Sequence, residues 1–163
     1  AAKERFELSY KDENGEENGE VFVIHRAPLS THERFVAFLT EHWAGNFPTW
    51  LSPKQIQIIT ISEKQKEYAR EVEKLLLDLG VRVSVDDSDA TIGKKIRMHR
   101  KMRPSYMLIL GEDEEKERTV SIRIDRKGDP RSGEQCNSVP LNEFLENLSE
   151  EISSKNKQLT LVK

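Results

Sequence analysis

A run of β-branched residues, Gln55-Ile-Gln-Ile-Ile-Thr-Ile61, predicts a buried strand and begins the segment from which the fold can be inferred. Apolar residues at helical spacing follow it, and Gly80 ends the helix that they predict. The pattern then predicts a strand at 81–85, a helix at 92–103 and a continuous apolar strand at Tyr106–Leu110. Because strands that alternate with helices pair in parallel through right-handed crossovers, we expect a mostly parallel sheet here.

After this segment the pattern predicts one more strand and one more helix. The strand is predicted at 119–124, and a loop that we expect to be mobile follows at 126–138. Pro140 fits the first turn of the last helix, whose apolar stripe reaches Ile152. The sequence therefore predicts an α/β fold, a three-layer domain with a mostly parallel mixed sheet of about five strands.

The residues before this domain predict a β-hairpin. Phe6, Leu8 and Tyr10 alternate with polar residues, as in a half-buried strand, and residues 21–24 form a second, continuous apolar strand. Asn14-Gly15 between them is a typical turn signal.

A helix follows the predicted hairpin. Ser30 is placed as its N-cap in a Ser-x-x-Glu capping box, and Gly45 can end it in a left-handed conformation. Residues 46–53 contain two prolines and no periodicity. We therefore predict a domain boundary there, with one domain at 1–47 and a second at 48–163.

The composition limits the class of protein. Of the 163 residues, 36% are apolar and 34% are charged, and the mean hydropathy is −0.69. The sequence contains no apolar run approaching the roughly 18 residues of a membrane helix and no signal-peptide pattern, so we expect no membrane partner. Cys136 is the only cysteine, which excludes an internal disulfide and is typical of a reducing compartment.

Charge is segregated along the chain, although the net charge is only −3. Residues 94–103 carry basic side chains and no acidic one, whereas residues 112–117 are almost entirely acidic. A basic face beside an acidic cluster favours local recognition of a folded RNA over nonspecific coating of a duplex.

Short motifs in the first third of the chain resemble a known family. They are, in order, His25-Arg26-Ala27, Glu33-Arg34-Phe35, Gly45 and Trp50-Leu51-Ser52-Pro53. In this order and spacing they closely resemble threonyl-tRNA synthetases, and the similarity runs from about Phe6 to about Ile152. Ser30 departs from the family pattern, which usually has glycine there. The resemblance implies that 1–47 is the C-terminal remnant of a class II catalytic domain, with its third motif, and that 48–163 is the anticodon-binding domain.

The resemblance also implies roles for individual residues in the remnant. His25 matches a histidine that is one of three ligands of a catalytic zinc, and Arg34 matches an arginine that contacts ATP in catalysis. The other zinc ligands and the sheet that binds ATP lie upstream in the family, so we expect neither zinc nor ATP on this chain alone. The intact enzyme would use ATP, Mg and Zn.

Six residues of the second domain are candidates for tRNA binding. Glu114 and Arg123 match a glutamate and an arginine that the family uses on the anticodon, and such groups can pair with exposed base edges. Asp89 stands where the family usually has asparagine, and an ionised Asp cannot donate to a base. Phosphate contacts are predicted for three basic side chains near the predicted helix start, those of Lys94, Lys95 and Arg97.

These implications give one main functional hypothesis. The chain would recognise the anticodon stem-loop of threonine tRNA within a threonine–tRNA ligase, and alone it would be a catalytically inactive monomer that binds tRNA. The intact enzyme would be a homodimer formed through its catalytic domain. We expect a cytoplasmic location, with an organellar one left open because the N-terminus looks truncated.

Two alternatives stay open. A non-catalytic homologue of an anticodon domain could serve as a protein- or nucleic-acid-binding module, although it would not need the His-Arg-Ala remnant. An unrelated flavodoxin-like ligand domain is the weaker alternative. Where its phosphate-binding glycine loop would follow the first strand, this chain has Ser62-Glu-Lys-Gln.

Overall fold

The computed structural model describes residues 2–162, which fall into two compact units that meet in sequence between Ala37 and Phe38. The first unit contains a short helix, α1 (Ala2–Phe6), and the two strands of an antiparallel hairpin, β1 (Tyr10–Lys11) and β2 (Glu17–Asn18). Helix α2 (His32–His42) begins in this unit and ends in the second.

The hairpin is shorter than the sequence predicts. Of the predicted first strand only Tyr10 lies in β1, since Phe6 belongs to α1 and Leu8 to no strand, and the prediction of a strand at 21–24 is wrong. Asp12 forms the turn, since its side chain accepts hydrogen bonds from the backbone N–H groups of Asn14 and Glu16. Residues 21–24 belong to no strand, and Phe22 and Ile24 are 93% and 87% exposed. An apolar run becomes a strand only when a neighbouring strand takes up its backbone hydrogen bonds, and none within residues 2–162 pairs with it.

Helix α2 starts one residue later than the predicted cap requires. Thr31 is the capping side chain, because its hydroxyl oxygen accepts the backbone N–H of Arg34 at 3.4 Å. Ser30 instead has a φ of +58°, a left-handed conformation that glycine adopts more readily. The predicted helix end is confirmed, since Gly45 has a φ of +74° and donates to the carbonyl of Thr40.

The second unit is built on a mixed five-stranded sheet in the order β4-β3-β5-β6-β7. The strands are β3 (Ile56–Thr60), β4 (Val83–Asp86), β5 (Tyr106–Leu110), β6 (Thr119–Arg123) and β7 (Gln135–Pro140). β3 pairs in parallel with β4 and β5, whereas β6 and β7 add antiparallel strands at the other side. This confirms the predicted α/β fold class and its mixed sheet.

Two helices, α3 (Lys66–Asp78) and α6 (Leu141–Ser153), complete the hydrophobic core on one face of the sheet. Val72 of α3 and Phe144 of α6 are buried there and pack with Ile58, Leu108 and Ile122, which the strands direct to this face. Alternate strand residues point to opposite faces, so the remaining side chains lie on the other side of the sheet.

Helix α4 (Ile92–Arg100) covers that other face. Helix α3 connects β3 to β4, which lies on one side of β3 in the sheet. Helix α4 then connects β4 to β5, which lies on the other side of β3. Because both crossovers are right-handed, the two helices lie on opposite faces of the sheet. A further short helix, α5 (Glu112–Glu117), is formed by the acidic cluster after β5.

Most of strand β7 lies in the segment 126–138, which the sequence predicts as loop. Its outer residues are polar and exposed, and its pairing with β6 is irregular between Val120 and Ile122, so the period-2 signal is weak. The preceding loop is held by Arg126, which is buried and donates to the carbonyl of Phe47 and to the carboxylate of Asp129. Among residues 2–162, no helix has the length and apolar character needed to cross a bilayer.

Candidate functional site

The candidate site lies on the sheet face that α4 only partly covers, where β6, α5 and the loop after β6 meet. Ser121 and Arg123 lie two residues apart on β6, and their pairing partners on β5 are Ile109 and Met107. Side chains two apart on a strand share a face. Polar groups near these two positions therefore lie on one surface.

Glu114 is attached to this surface through both carboxylate oxygens. Its Oε2 accepts the backbone N–H of Gly111 at 2.9 Å, and its Oε1 accepts the hydroxyl of Ser121 at 2.7 Å. A Cβ at position 111 would lie 2.9 Å from that Oε2 and 2.7 Å from Cδ1 of Ile61, so a side chain there would require the ends of these two side chains to shift. The carboxylate thus caps α5 and is fixed beside β6, and each oxygen keeps acceptor capacity for a further donor.

Arg123 is fixed in the same way by side chains on its own surface. Its Nε and Nη2 donate to Oδ2 of Asp125 at 3.2 and 3.0 Å, and its Nη1 donates to Oε1 of Gln135 at 3.3 Å. The side chain remains 25% exposed. The structure therefore brings Glu114 and Arg123 to one face, where Ser121 binds Glu114 and lies two residues before Arg123 on β6.

Asp125 was not a candidate from the sequence, yet it connects three parts of the site. Besides Arg123, its carboxylate contacts Nε of Arg100 from α4 at 3.0 Å and the hydroxyl of Ser132 at 2.9 Å. The Arg-x-Asp spacing on a strand was the available signal, since it puts both side chains on one face. The contacts of Arg100 and Ser132 depend on the tertiary fold.

The basic side chains of α4 divide into an exposed set and one buried lysine. Lys94, Arg97 and Arg100 are exposed. Lys95 is only 1% exposed, and its Nζ donates to the backbone carbonyls of Thr60 at 2.9 Å and Asp86 at 3.3 Å. Lys95 therefore joins α4 to the ends of β3 and β4, and we leave it out of the surface available to a ligand.

A second contact fixes the start of the loop that precedes α4. Nε2 of His99 lies 2.6 Å from Oδ2 of Asp86, whose Oδ1 accepts the hydroxyl of Ser88. Burial alone would raise the pKa of Asp86, but the hydrogen bonds from Ser88 and His99 outweigh it and hold the pKa below its ordinary value. Asp89 lies in this loop with its side chain exposed to solvent.

His25 and Arg34 lie in the first unit, and both are exposed. A catalytic zinc needs three protein ligands. Residues 2–162 contain no group of three or more His, Cys, Asp or Glu side chains arranged to hold a metal ion. The described residues therefore do not fit a zinc ion at His25, and no chemistry is assigned to a metal on this chain.

The chemistry of the site is that of polar recognition. Forked guanidinium donors, a carboxylate acceptor and a row of exposed cations lie on this surface. Single-stranded nucleic acid offers matching features, since its bases expose donors and acceptors and its phosphates are anionic.

The comparisons with known proteins agree with this chemistry. Residues 55–151 match the family described as anticodon binding domain. The chain is 45% identical over 158 residues to the threonine–tRNA ligase of Flavobacterium johnsoniae, covering 97% of this chain and 24% of that protein. It is 41% identical over 157 residues to that of Petrotoga mobilis, covering 96% of this chain and 23% of that protein. The chain thus spans about a quarter of the length of these relatives.

A solved structure shows the same architecture. The RNA-binding domain of threonyl-tRNA synthetase from Cryptosporidium parvum superimposes with a TM-score of 0.68 at 39% identity, covering 78% of this chain and 30% of that chain.

Proposed function

We propose that this chain, which belongs to the anticodon-binding domain family, recognises the anticodon stem-loop of threonine tRNA as part of a threonine–tRNA ligase. The observation that carries the proposal is the convergence of the partly exposed Glu114 and Arg123 on one face of the sheet in a domain of this family. Such a ligase attaches threonine to its tRNA using ATP.

Arg123 and Glu114 would contact anticodon bases. In a single-stranded loop the bases are unstacked, so their pairing edges can reach a protein surface. The outer guanidinium N–H groups of Arg123 can donate to base oxygens and nitrogens. The carboxylate of Glu114 can accept from a guanine, because each oxygen still has a lone pair beyond its internal hydrogen bond.

The exposed cations of α4 would position the RNA. Lys94 and Arg97 lie on the exposed side of the helix and would contact phosphates, which are the same in every sequence. Asp89 lies just before this helix and can only accept hydrogen bonds while ionised. It would therefore select a base with a donor at that position.

The remaining residues would belong to the rest of the enzyme. We propose that residues 1–47 end the catalytic domain, where Arg34 would contact ATP, and that residues 48–163 form the anticodon-binding domain. ATP, Mg and the zinc to which His25 would contribute belong to that catalytic domain. The intact enzyme would be a cytoplasmic homodimer.

A binding titration tests the proposal. The purified chain is titrated with threonine tRNA and with a non-cognate tRNA of similar length at matched salt, because the phosphate contribution to affinity depends strongly on salt. We expect tighter binding of threonine tRNA. Equal affinity for the two RNAs, or binding to neither, would contradict anticodon recognition by this chain.

A further inference from the structure

We propose that Asp125 is a positioning residue that holds the guanidinium groups of Arg123 and Arg100 together, and that Arg100 adds a phosphate contact beside the base read by Arg123. This inference rests on the proposed function and deepens it. It gives Arg100 a role in binding. It also explains why an acidic residue, Asp125, is buried at a surface that would bind RNA.

The geometry of Asp125 carries the proposal. One carboxylate oxygen accepts Nε and Nη2 of Arg123, and the other lies 3.0 Å from Nε of Arg100 and accepts the hydroxyl of Ser132. The side chain of Asp125 is only 7% exposed. Both oxygens are therefore used within the protein, and Asp125 itself offers little to a ligand.

Charge explains why such a residue is needed. Two guanidinium groups side by side repel each other, and the repulsion would turn them apart into solvent. The carboxylate between them compensates one positive charge, so the group keeps a net positive charge while both arginines stay in place. Ordering both side chains before binding also lowers the entropy cost of the complex.

The position of Arg100 indicates a phosphate as its ligand. Its side chain is 48% exposed, and because Nε is directed to Asp125, the Nη groups remain for a ligand. Nη2 lies 3.5 Å from the hydroxyl of Ser132, at the limit of a hydrogen bond. Arg100 ends the exposed row of cations on α4 that includes Lys94 and Arg97, so it would continue the path of the RNA backbone to the base at Arg123.

Asp125→Asn is the decisive variant, because a purely electrostatic effect and a loss of positioning would change the affinity for RNA in opposite directions. Removing an acidic charge near RNA should by itself strengthen binding. If Asp125 positions the arginines, the variant should instead bind threonine tRNA about tenfold more weakly, since an amide nitrogen would face an arginine donor. The preference over an altered-anticodon tRNA should shrink as well. Asp113→Asn, on the exposed acidic helix α5, is the matched control and should leave affinity unchanged or slightly raise it.

Two further variants separate positioning from a loss of structure. In an Arg123→Ala, Arg100→Gln background, Asp125→Asn should no longer weaken binding, because no arginine remains to be positioned. Arg100→Gln alone, at an exposed position, should lower the slope of log affinity against log salt by about one. Circular dichroism and thermal unfolding verify that each variant is folded.

The outcomes distinguish this inference from the proposed function. If the unmodified chain prefers threonine tRNA but Asp125→Asn binds it equally or more tightly, the positioning role is wrong and the proposed function stands. An unchanged slope of log affinity against log salt in Arg100→Gln would refute the phosphate contact. This test does not depend on whether Asp125→Asn folds. If the unmodified chain shows no preference, the proposed function itself fails.

Discussion

Replacing Arg123 with alanine is expected to weaken the binding of threonine tRNA by about 1–3 kcal/mol, which is about 5- to 150-fold in affinity. The guanidinium is held by Asp125 and Gln135, remains partly exposed and would donate to a base edge, an interaction that alanine cannot replace. The same substitution should narrow the difference in affinity between threonine tRNA and a tRNA with an altered anticodon. Titrations of both RNAs at several salt concentrations measure these effects.

Lys94→Ala is the matched control for this experiment. Lys94 is an exposed cation on α4 and would contact a phosphate at most. Its loss should weaken the binding of both RNAs by similar factors. It should also lower the slope of log affinity against log salt by about one unit or less. If Arg123→Ala also weakens the binding of the two RNAs by equal factors, Arg123 does not make a base-specific contact.

The fold of the second unit could be predicted from the sequence because its signals are local. The apolar run of β5, the helical spacing in α3 and the glycine at position 80 each report a structure that neighbouring residues determine. The predictions of a strand at 21–24 and of loop at 135–138 are wrong because strand formation depends on a partner strand elsewhere. The first stretch has no partner within the described residues, and β7 has one despite its polar sequence.

The site could be predicted only in part, for a similar reason. The resemblance pointed to Glu114 and Arg123, and the structure brings them to one face, although their roles on RNA stay predictions. The resemblance suggested Lys95 as a phosphate ligand, but in the structure Lys95 is buried on the side of α4 that also carries Ile92, Ile96 and His99. The spacing of Arg123 and Asp125 was a usable signal, but the contact of Asp125 with Arg100 could not be predicted, since it joins residues 25 positions apart in the sequence.

A buried carboxylate at the opposite side of the molecule has a large structural role. Glu151 of α6 is 3% exposed and accepts hydrogen bonds from the hydroxyl of Thr49, the hydroxyl of Tyr106 at 2.8 Å and the backbone N–H of Thr160 at 2.7 Å. Burial, and then the charge of Glu151, raise the pKa of Tyr106, which keeps its phenol protonated as a donor. One side chain thus joins α6 to the segment before β3, to β5 and to the C-terminal segment.

Replacing Glu151 with alanine should therefore lower the free energy of unfolding by about 3 kcal/mol. The hydroxyls of Thr49 and Tyr106 would lose their acceptor, and each unsatisfied buried polar group costs about 1–3 kcal/mol. Urea denaturation followed by circular dichroism measures the change.

Glu150→Ala is the control, because Glu150 precedes Glu151 on the same helix and its side chain is exposed. This substitution should change the free energy of unfolding by less than about 0.5 kcal/mol. Glu151→Gln should lie between the two, since one amide oxygen still accepts while the amide nitrogen faces donors. A Glu151→Ala variant as stable as Glu150→Ala would show that the carboxylate does not hold these segments together, because its loss would then leave no donor unsatisfied.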